Sequence, residues 1–285
     1  MFFSKFVLFF FLISNIVFSQ NEKLKDHILF YSSFNGKITA DISVGDSLIY
    51  TAENYKKTDD AKPGLHNPDV VLAKNKGLTG DALHFKKKNT TAIYFSGYKN
   101  LGYSSESWSG SFSFWLQLDP EKDLEPGYCD PINLTDIRYD DAALWVDFTK
   151  DDKPREFRLG VMGDLDVRKR ENKINDAESK KRIVRVIKPP FKSLKWTHVV
   201  ITYSEINTNK SICKLYVDGQ LKGDVKDVND PFTWKEENAK IMLGLSYVGL
   251  MDELTAFDKT LSPNEVKFVY ELKNGIKSLL EKRHR

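Results

Sequence analysis

Three acidic residues at alternate positions, Glu121, Asp123 and Glu125, have a spacing that could do chemistry. In an extended strand, successive side chains point to opposite faces, so these three carboxylates would share one face. One could then act as nucleophile and another as general acid in retaining glycoside hydrolysis, for which the two carboxyl groups stand roughly 5 Å apart. The pattern therefore raises hydrolysis of a glycosidic bond as one possible activity.

The residues around these carboxylates favour a loop over a catalytic strand. The spacing resembles the catalytic strand of laminarinase-like glycoside hydrolases, but Lys122 stands where that family has an apolar residue. Pro120 and Pro126 bracket the segment, and proline is poorly tolerated inside a sheet. We therefore expect a solvated acidic loop and a protein without a competent active site, and keep hydrolysis as an alternative.

Sugar binding is a second kind of chemistry that the composition suits. The chain contains 5 Trp, 12 Tyr and 19 Phe, and aromatic rings can stack on the faces of pyranose rings. Five aromatic residues lie in or beside predicted loops or on predicted sheet faces, and they are Trp108, Tyr128, Tyr139, Trp145 and Trp234. Each would also suit a core position, so the sequence does not select among them.

Histidine and cysteine offer little further chemistry. The five histidines have neither the spacing of a metal-binding helix nor that of a metalloprotease. His198 falls on a predicted strand, where we expect a hydrogen-bonded structural role. The two cysteines, Cys129 and Cys213, could form a disulfide in an exported protein. Cys213 would equally suit a buried free thiol, so both states remain open.

The elements that must position such residues are mainly strands. The runs Thr197–Tyr203 and Ser211–Val217 alternate in polarity and are rich in β-branched and aromatic residues, which is typical of an antiparallel hairpin. Asp218-Gly219 supplies the turn signal after the second run. One face of each run is apolar, and this fixes the register of the hairpin against a core.

Further short alternating runs are separated by turn signals. They lie at His27–Phe34, Val70–Ala73, Ala82–Phe85, Thr91–Phe95, Ser111–Leu118, Ala142–Phe148, Glu156–Met162, Ile183–Ile187, Ala239–Gly244 and Gly249–Phe257. Ser262, Pro263 and Glu265 form a capping box that predicts a short C-terminal helix. The sequence thus predicts an all-β protein, a two-sheet antiparallel sandwich or jelly roll with one terminal helix.

Several blocks in order give the chain a family resemblance. The hairpin Trp196–Gly219 resembles the central hairpin of laminin-G-like, concanavalin A-type lectin/glucanase jelly rolls. The same pattern continues in Phe34–Gly36, Gly80–Phe85, Ser111–Leu116, Gly249–Leu254 and Leu261–Val266. The resemblance spans Leu29 to Tyr270. It implies the jelly-roll fold, which hosts sugar binding, adhesion and hydrolysis alike.

The resemblance also implies a structural calcium site. Many similar jelly rolls bind Ca²⁺ near the end of the first strand and the start of the last, using carboxylates and backbone carbonyls. The matching positions here are Asn35, Gly36 and Asp252, with Asp41 as a further carboxylate nearby. This chain has Asn35 where the family usually has Asp, so one negative charge is missing. Ordinary structural roles for these residues remain the alternative.

The ends of the chain and its charge indicate where it works. Residues 1–20 combine Lys5 with the apolar run Phe6–Phe18, which is typical of a secretory signal peptide. We expect one jelly-roll domain over residues 26–273, a charged tail over 274–285, and no transmembrane segment after cleavage. With 43 Lys and Arg against 40 Asp and Glu, the chain lacks the basic stripe of a nucleic-acid binder.

The polar segments between strands provide the remaining alternatives. We expect loop insertions at Asp119–Asp141 and Asp164–Arg182, and we interpret the basic cluster in the second one as solvated. The sequence as a whole favours a secreted, periplasmic or surface protein that binds a polysaccharide or glycoconjugate. A glycoside hydrolase and a protein–protein adhesion module are the two alternatives.

Overall fold

The computed structural model describes residues 23–272 and 274–280, and over this range two antiparallel sheets pack face to face. The predicted signal peptide and the end of the predicted charged tail lie outside the described residues. The expected all-β sandwich with a short C-terminal helix is confirmed. Within the described range, no helix combines the length and the hydropathy needed to cross a membrane.

The first sheet is built around the longest strands. Its strands are β1 (Ile28–Ser32), β2 (Ile42–Ser43), β5 (Val70–Ala73), β6 (Ala82–Phe85), β8 (Trp108–Gln117), β13 (Thr197–Ile206), β14 (Ile212–Val217), β15 (Gln220–Lys226) and β17 (Gly249–Phe257). They are ordered β15-β14-β13-β8-β17-β1-β2, and the β5–β6 hairpin adds to β17 through β6. Non-consecutive neighbours such as β13 and β8 are typical of a jelly roll.

The second sheet packs against the first and contains eight strands. Its strands are β3 (Ile49–Ala52), β4 (Lys62–Pro63), β7 (Ala92–Ser96), β9 (Cys129–Thr135), β10 (Ala143–Phe148), β11 (Phe157–Met162), β12 (Ile183–Val186) and β16 (Lys240–Leu245). Their order is β12-β11-β10-β9-β16-β7-β3-β4, so β9 and β16 lie at the centre.

The predicted hairpin is β13–β14, and its register follows the apolar alternation. Val199 lies opposite Val217, and Ile201 lies opposite Leu215. All four side chains are fully buried in the core between the sheets. Because side chains alternate along a strand, a slip of one residue would turn this apolar set away from the core. The prediction of this hairpin and of its buried face is confirmed.

Four α-helices and two 3₁₀ turns complete the described chain. They are α1 (Leu165–Arg170), α2 (Asp176–Lys181), α3 (Pro263–Tyr270), α4 (Lys277–Leu280), and the 3₁₀ turns Lys23–His27 and Glu236–Asn238. The Ser262 hydroxyl and the Glu265 carboxylate cap α3 reciprocally, as the capping box predicts. Val266 and Val269 of α3 pack with Val200 on the outer face of the first sheet. The helix α3 therefore covers part of the outer face of the first sheet.

The two segments interpreted as loop insertions contain regular structure. The first holds the central strand β9, and the second forms α1 and α2. The prediction of a solvated basic cluster in the second segment is wrong for two of its arginines. Arg168 and Arg182 are buried, since Arg168 donates to the Gly163 carbonyl and Arg182 pairs with Asp230.

The cysteines are both free. Cys129 begins β9 in the second sheet, and Cys213 lies on β14 in the first; both are buried in the core. Burial raises the pKa of each thiol above its usual range. The structure therefore favours the buried-thiol alternative over the disulfide.

Candidate functional site

A groove crosses the outer face of the second sheet. It consists of two adjoining hollows of about 500 and 570 Å³ that share Tyr55, Lys56 and Tyr139. Residues from β9 and β16 form its floor, while its rim comes from the loop after β3 and the segments on either side of β9. Small-molecule sites usually have volumes of this order. We call this surface the tyrosine groove, after Tyr55, Tyr128 and Tyr139.

The tyrosines of the groove present their rings to solvent. Tyr128 is 54% exposed and Tyr139 is 50% exposed. The Arg158 guanidinium carbon lies 5.2 Å from the Tyr128 ring centroid and 5.6 Å from that of Trp145, so the cation links the two rings. Three of the five aromatic candidates, Tyr128, Tyr139 and Trp145, thus lie on one face of one sheet.

Trp145 lies flat on the sheet because a glycine faces it. Gly160 of β11 is directly opposite Trp145 in register. A Cβ at Gly160 would lie 2.1 Å from the Trp145 ring, which is closer than any side chain allows. The indole is 7% exposed, and its Nε1 has no hydrogen-bond partner. Trp145 therefore belongs to the floor beside the groove rather than to its rim.

Two neighbouring carboxyl groups, those of the half-buried Asp130 and the buried Asp147, provide acidic groups at the groove floor. Arg158 donates to Asp147 through Nε (2.8 Å to Oδ1) and Nη2 (2.5 Å to Oδ2). Burial raises the pKa of the neighbouring Asp130 well above its usual range, and the Asp147 carboxylate raises it further. Burial also raises the pKa of Asp147, and its hydrogen bonds with Arg158 oppose that rise. Asp130 lines the groove, so its carboxyl can hydrogen-bond a ligand there.

The other two aromatic candidates lie in the core. Trp108 is 0% exposed, and its Nε1 donates to the Leu101 carbonyl at 2.9 Å. Trp234 is 6% exposed, and its Nε1 donates to the Ala142 carbonyl. The two indoles pack together with their centroids 4.6 Å apart. Neither residue presents a ring face to a ligand.

The three acidic residues at alternate positions lie in a loop after β8. Asp123 accepts from the Asp119 amide at 2.6 Å, Glu121 from the Arg155 amide at 2.7 Å, and Glu125 from the Lys88 amide at 3.1 Å. Each carboxylate thus holds a different segment, and none lines the tyrosine groove. This arrangement supports the interpretation as an acidic loop.

Two of the calcium candidates hold one loop from opposite sides. The Asn35 side-chain oxygen accepts from the Asp81 amide at 2.8 Å, and Asp252 Oδ2 accepts from the Leu78 amide at 2.7 Å. A Cβ at Gly80 would lie 2.0 Å from Asn35 Oδ1, so the loop passes close to this side chain. Asn35 and Asp252 thus each accept a hydrogen bond from a backbone amide of the same loop.

The other two calcium candidates are oriented differently. The Gly36 amide donates to the Asp81 carboxylate at 3.1 Å. Asp41 accepts from the Ser33 amide at 2.8 Å and pairs with Lys37 at 3.0 Å. Over residues 23–272 and 274–280, no three His, Cys, Asp or Glu side chains converge as a metal cluster. A calcium ion here would depend on amide and carbonyl oxygens in addition to Asp252, and such oxygens are ligands that calcium accepts.

Several residues in or beside the groove were not among the sequence candidates. They include Tyr55 and Asp130, which line it, and the adjacent Asn133 and Arg158. Asp130 and Asn133 lie on β9, which was assigned to a loop. The alternation of Ile132 and Leu134 with Asn133 and Thr135 is the signal that could have revealed this strand.

The two antiparallel sheets, with α3 on the outer face of the first, define a jelly-roll sandwich. A family model described as the concanavalin A-like lectin/glucanases superfamily matches residues 87–267, and the chain belongs to this family. No curated protein matches the chain in sequence.

Solved structures show the same fold at low sequence identity. Domain 4 of AbnA, a GH43 extracellular arabinanase from Geobacillus stearothermophilus in complex with arabinotriose, is 19% identical with a TM-score of 0.52, covering 85% of this chain and 97% of that one. The binding domain of botulinum neurotoxin serotype D is 15% identical with a TM-score of 0.54, covering 87% and 51%. The serotype G binding domain is 13% identical with a TM-score of 0.52, covering 85% and 50%. This chain thus spans about half the length of the toxin domains.

Proposed function

We propose that the protein is an exported carbohydrate-binding module whose ligand, a polysaccharide or glycoconjugate, lies in the tyrosine groove. The observation that carries this proposal is the pair of half-exposed tyrosine rings above a polar floor. Exposed rings bind the apolar faces of sugars, while Asp130 and its neighbours can hydrogen-bond the hydroxyls. The arabinotriose complex of the AbnA domain is consistent with a sugar-binding role for this fold.

The same floor argues for binding rather than hydrolysis. A retaining hydrolase needs a proton donor and a free carboxylate nucleophile. Asp130 could donate a proton, but Asp147 is 4% exposed and is held by both donors of the Arg158 fork. It therefore cannot approach a sugar carbon above the groove. We infer recognition without bond cleavage.

Removal of the rim tyrosines should abolish most of the affinity. We expect the double variant Tyr128→Ala and Tyr139→Ala to bind a glycan identified on an array about 100-fold more weakly, or about 1.4 kcal/mol for each ring. Tyr98→Ala is the matched control, since Tyr98 is 38% exposed outside the groove. Isothermal titration of the three proteins measures the effect. Equal affinities would exclude the groove, and a blank array for the wild type would exclude sugar binding and favour a protein partner.

Export is proposed on the N-terminal pattern alone. An apolar stretch after Lys5 predicts cleavage near Ser19 or Gln20 and release outside the cytoplasm. The intact mass of the chain recovered from the exported fraction measures where cleavage occurs. A full-length mass in the cytoplasmic fraction would contradict the proposal.

We further propose that Asp252, with Asn35, holds a structural Ca²⁺ that fixes the loop at residues 77–81. Burial raises the pKa of Asp252 well above its usual range, with a further contribution from Glu253. A bound cation would offset the cost of an ionised carboxylate at this position. Calcium should raise the melting temperature of the wild type by several degrees and that of Asp252→Asn by much less. Differential scanning fluorimetry with Ca²⁺, Mg²⁺ or a chelator measures this. No response of the wild type to calcium would exclude the ion.

A further inference from the structure

A small enclosed cavity lies beneath the tyrosine groove. It has a volume of about 30 Å³ and is roofed by Tyr55 and Tyr139, with Asn133, Lys240 and Met242 among its lining residues. A space of this size can hold one water molecule but no sugar ring. A ring lying in the groove could therefore send only hydroxyl groups into it.

The side chain that faces this cavity lacks the partners that a buried amide needs. Asn133 is 1% exposed, and neither its Nδ2 nor its Oδ1 makes a hydrogen bond. Asn133 also lies close to the Asp130 carboxyl, whose pKa it lowers against the larger, opposite effect of burial. A buried amide without partners is unfavourable for folding.

The residues opposite Asn133 on the two neighbouring strands are aromatic or apolar. On β10 it lies opposite Trp145, and on β16 it lies opposite Met242. The Trp145 Nε1 is likewise buried without a partner. By contrast Asn100, which is also buried, donates to two carbonyls and accepts from the Gly45 amide. Asn133 and its neighbour Trp145 thus place three buried, unpartnered polar atoms together at the groove floor.

We propose that Asn133 determines ligand specificity by binding two adjacent hydroxyl groups of a neutral sugar. One hydroxyl would accept a hydrogen bond from Nδ2, and the other would donate one to Oδ1. Access requires the Tyr139 ring to turn outward, which its half-exposed position permits. This inference rests on the proposed sugar-binding function and adds the vicinal diol as the group that is recognised.

The variant Asn133→Leu separates recognition from folding. Leucine has the same branching and the same number of side-chain heavy atoms and lacks both unpartnered polar atoms, so the melting temperature should stay the same or rise. Affinity for diol-bearing sugars should fall at least about tenfold, because two hydrogen bonds are lost. Tyr98→Ala is again the control, since Tyr98 lines neither the groove nor this cavity, and it should leave the affinity unchanged.

The probes are methyl pyranosides and their monodeoxy analogues, measured by isothermal titration. The wild type should prefer the parent sugar over the analogue lacking one hydroxyl of the diol, and Asn133→Leu should bind both equally. Wild-type binding that Asn133→Leu leaves unchanged would overturn this inference while keeping the proposed function. A lower melting temperature for Asn133→Leu would assign the amide to the fold and overturn the inference as well. Absence of any wild-type binding, here and on the array, would overturn both.

Discussion

We expect that replacing His198 by glutamine will remove most of the loss of folding stability at low pH for which this residue is responsible. His198 is fully buried on β13. Its Nε2 lies 2.8 Å from the Ser113 hydroxyl, and its ring lies 4.6 Å from that of Trp115 and 5.9 Å from that of Tyr270. Its Nδ1 has no partner. A proton added to this ring would therefore be buried without an anion to neutralise it.

The direction of the pH effect follows from the pKa in each state. Burial lowers the pKa of His198 from 6.5 to about 3. Above pH 6.5 the ring is neutral in both states, so protonation does not affect stability. As the pH falls below 6.5, the unfolded chain takes up a proton that the folded chain does not, and stability is lost until about pH 3. Between pH 6.5 and pH 4 the loss amounts to about 3 kcal/mol.

Urea unfolding at pH 7, 5.5 and 4 measures this loss. Glutamine can place an amide nitrogen where Nε2 bonds Ser113, so His198→Gln should fold, with a lower stability at pH 7 from imperfect packing. Its curve should then fall less steeply with acid than that of the wild type. His66→Gln, at an exposed histidine that contacts the Pro63 carbonyl, should follow the wild-type slope. Parallel curves for all three proteins would contradict the assignment.

The architecture could be predicted because strand alternation is a local property. β5, β6 and β17 have the predicted bounds. The register of β13 with β14 follows from the apolar spacing, and the start of α3 follows from its capping residues. These signals depend on neighbours a few residues apart along the chain. These signals can therefore be recognised in the sequence without knowing which residues pack against them in the fold.

The groove was not predicted because the signals of its central strand conflict: the alternation over residues 132–135 favours a strand, but a neighbouring residue breaks a local rule. Pro131 lies within β9, where proline argues against a strand. The structure accommodates it at a shift in register, since Val146 pairs with Ile132 but Phe148 pairs with Cys129. β9 therefore remains paired with both neighbours, β10 and β16. The assignment of Asp119–Asp141 to a loop removed Asp130 and Asn133 from consideration.

The relation between the aromatic candidates depended on contacts far apart in sequence. Tyr139 and Tyr55 are separated by more than eighty residues, yet they share both hollows of the groove. Trp108 and Trp234 are even farther apart in sequence and meet in the core. All four residues are aromatic, so residue type alone does not distinguish the exposed pair from the buried pair. Only the pairing of β9 with β16 and of β3 with β7 places one pair outside and the other inside.

The second large effect concerns the charges that bind the α1–α2 segment to the sandwich. Asp230 is 1% exposed. Its Oδ1 lies 3.1 Å from Lys173 Nζ, and its Oδ2 pairs with the Arg182 guanidinium. Arg168 lies nearby, and burial, together with the charge of Arg182, lowers its pKa. Asp230 is thus the carboxylate that offsets several cations in a largely buried cluster.

Replacing Asp230 by asparagine should destabilise the protein by about 3 to 5 kcal/mol. Such a loss is typical when one partner of a buried ion pair is removed, because the remaining charges stay buried without compensation. Asp224→Asn is the control, since its pair with Lys226 is more exposed and should contribute less than about 1 kcal/mol. Chemical denaturation of both variants gives the two values.

A double variant shows whether uncompensated charge is the cause. Adding Arg182→Met to Asp230→Asn removes one of the buried cations while keeping a side chain of similar length. If charge is responsible, the double variant should be more stable than Asp230→Asn alone, and the coupling between the two positions should exceed about 1 kcal/mol. A double variant that loses the sum of the two single effects would instead indicate independent packing roles. A loss below about 1 kcal/mol for Asp230→Asn itself would show that water or a shift of α1 and α2 compensates the cations.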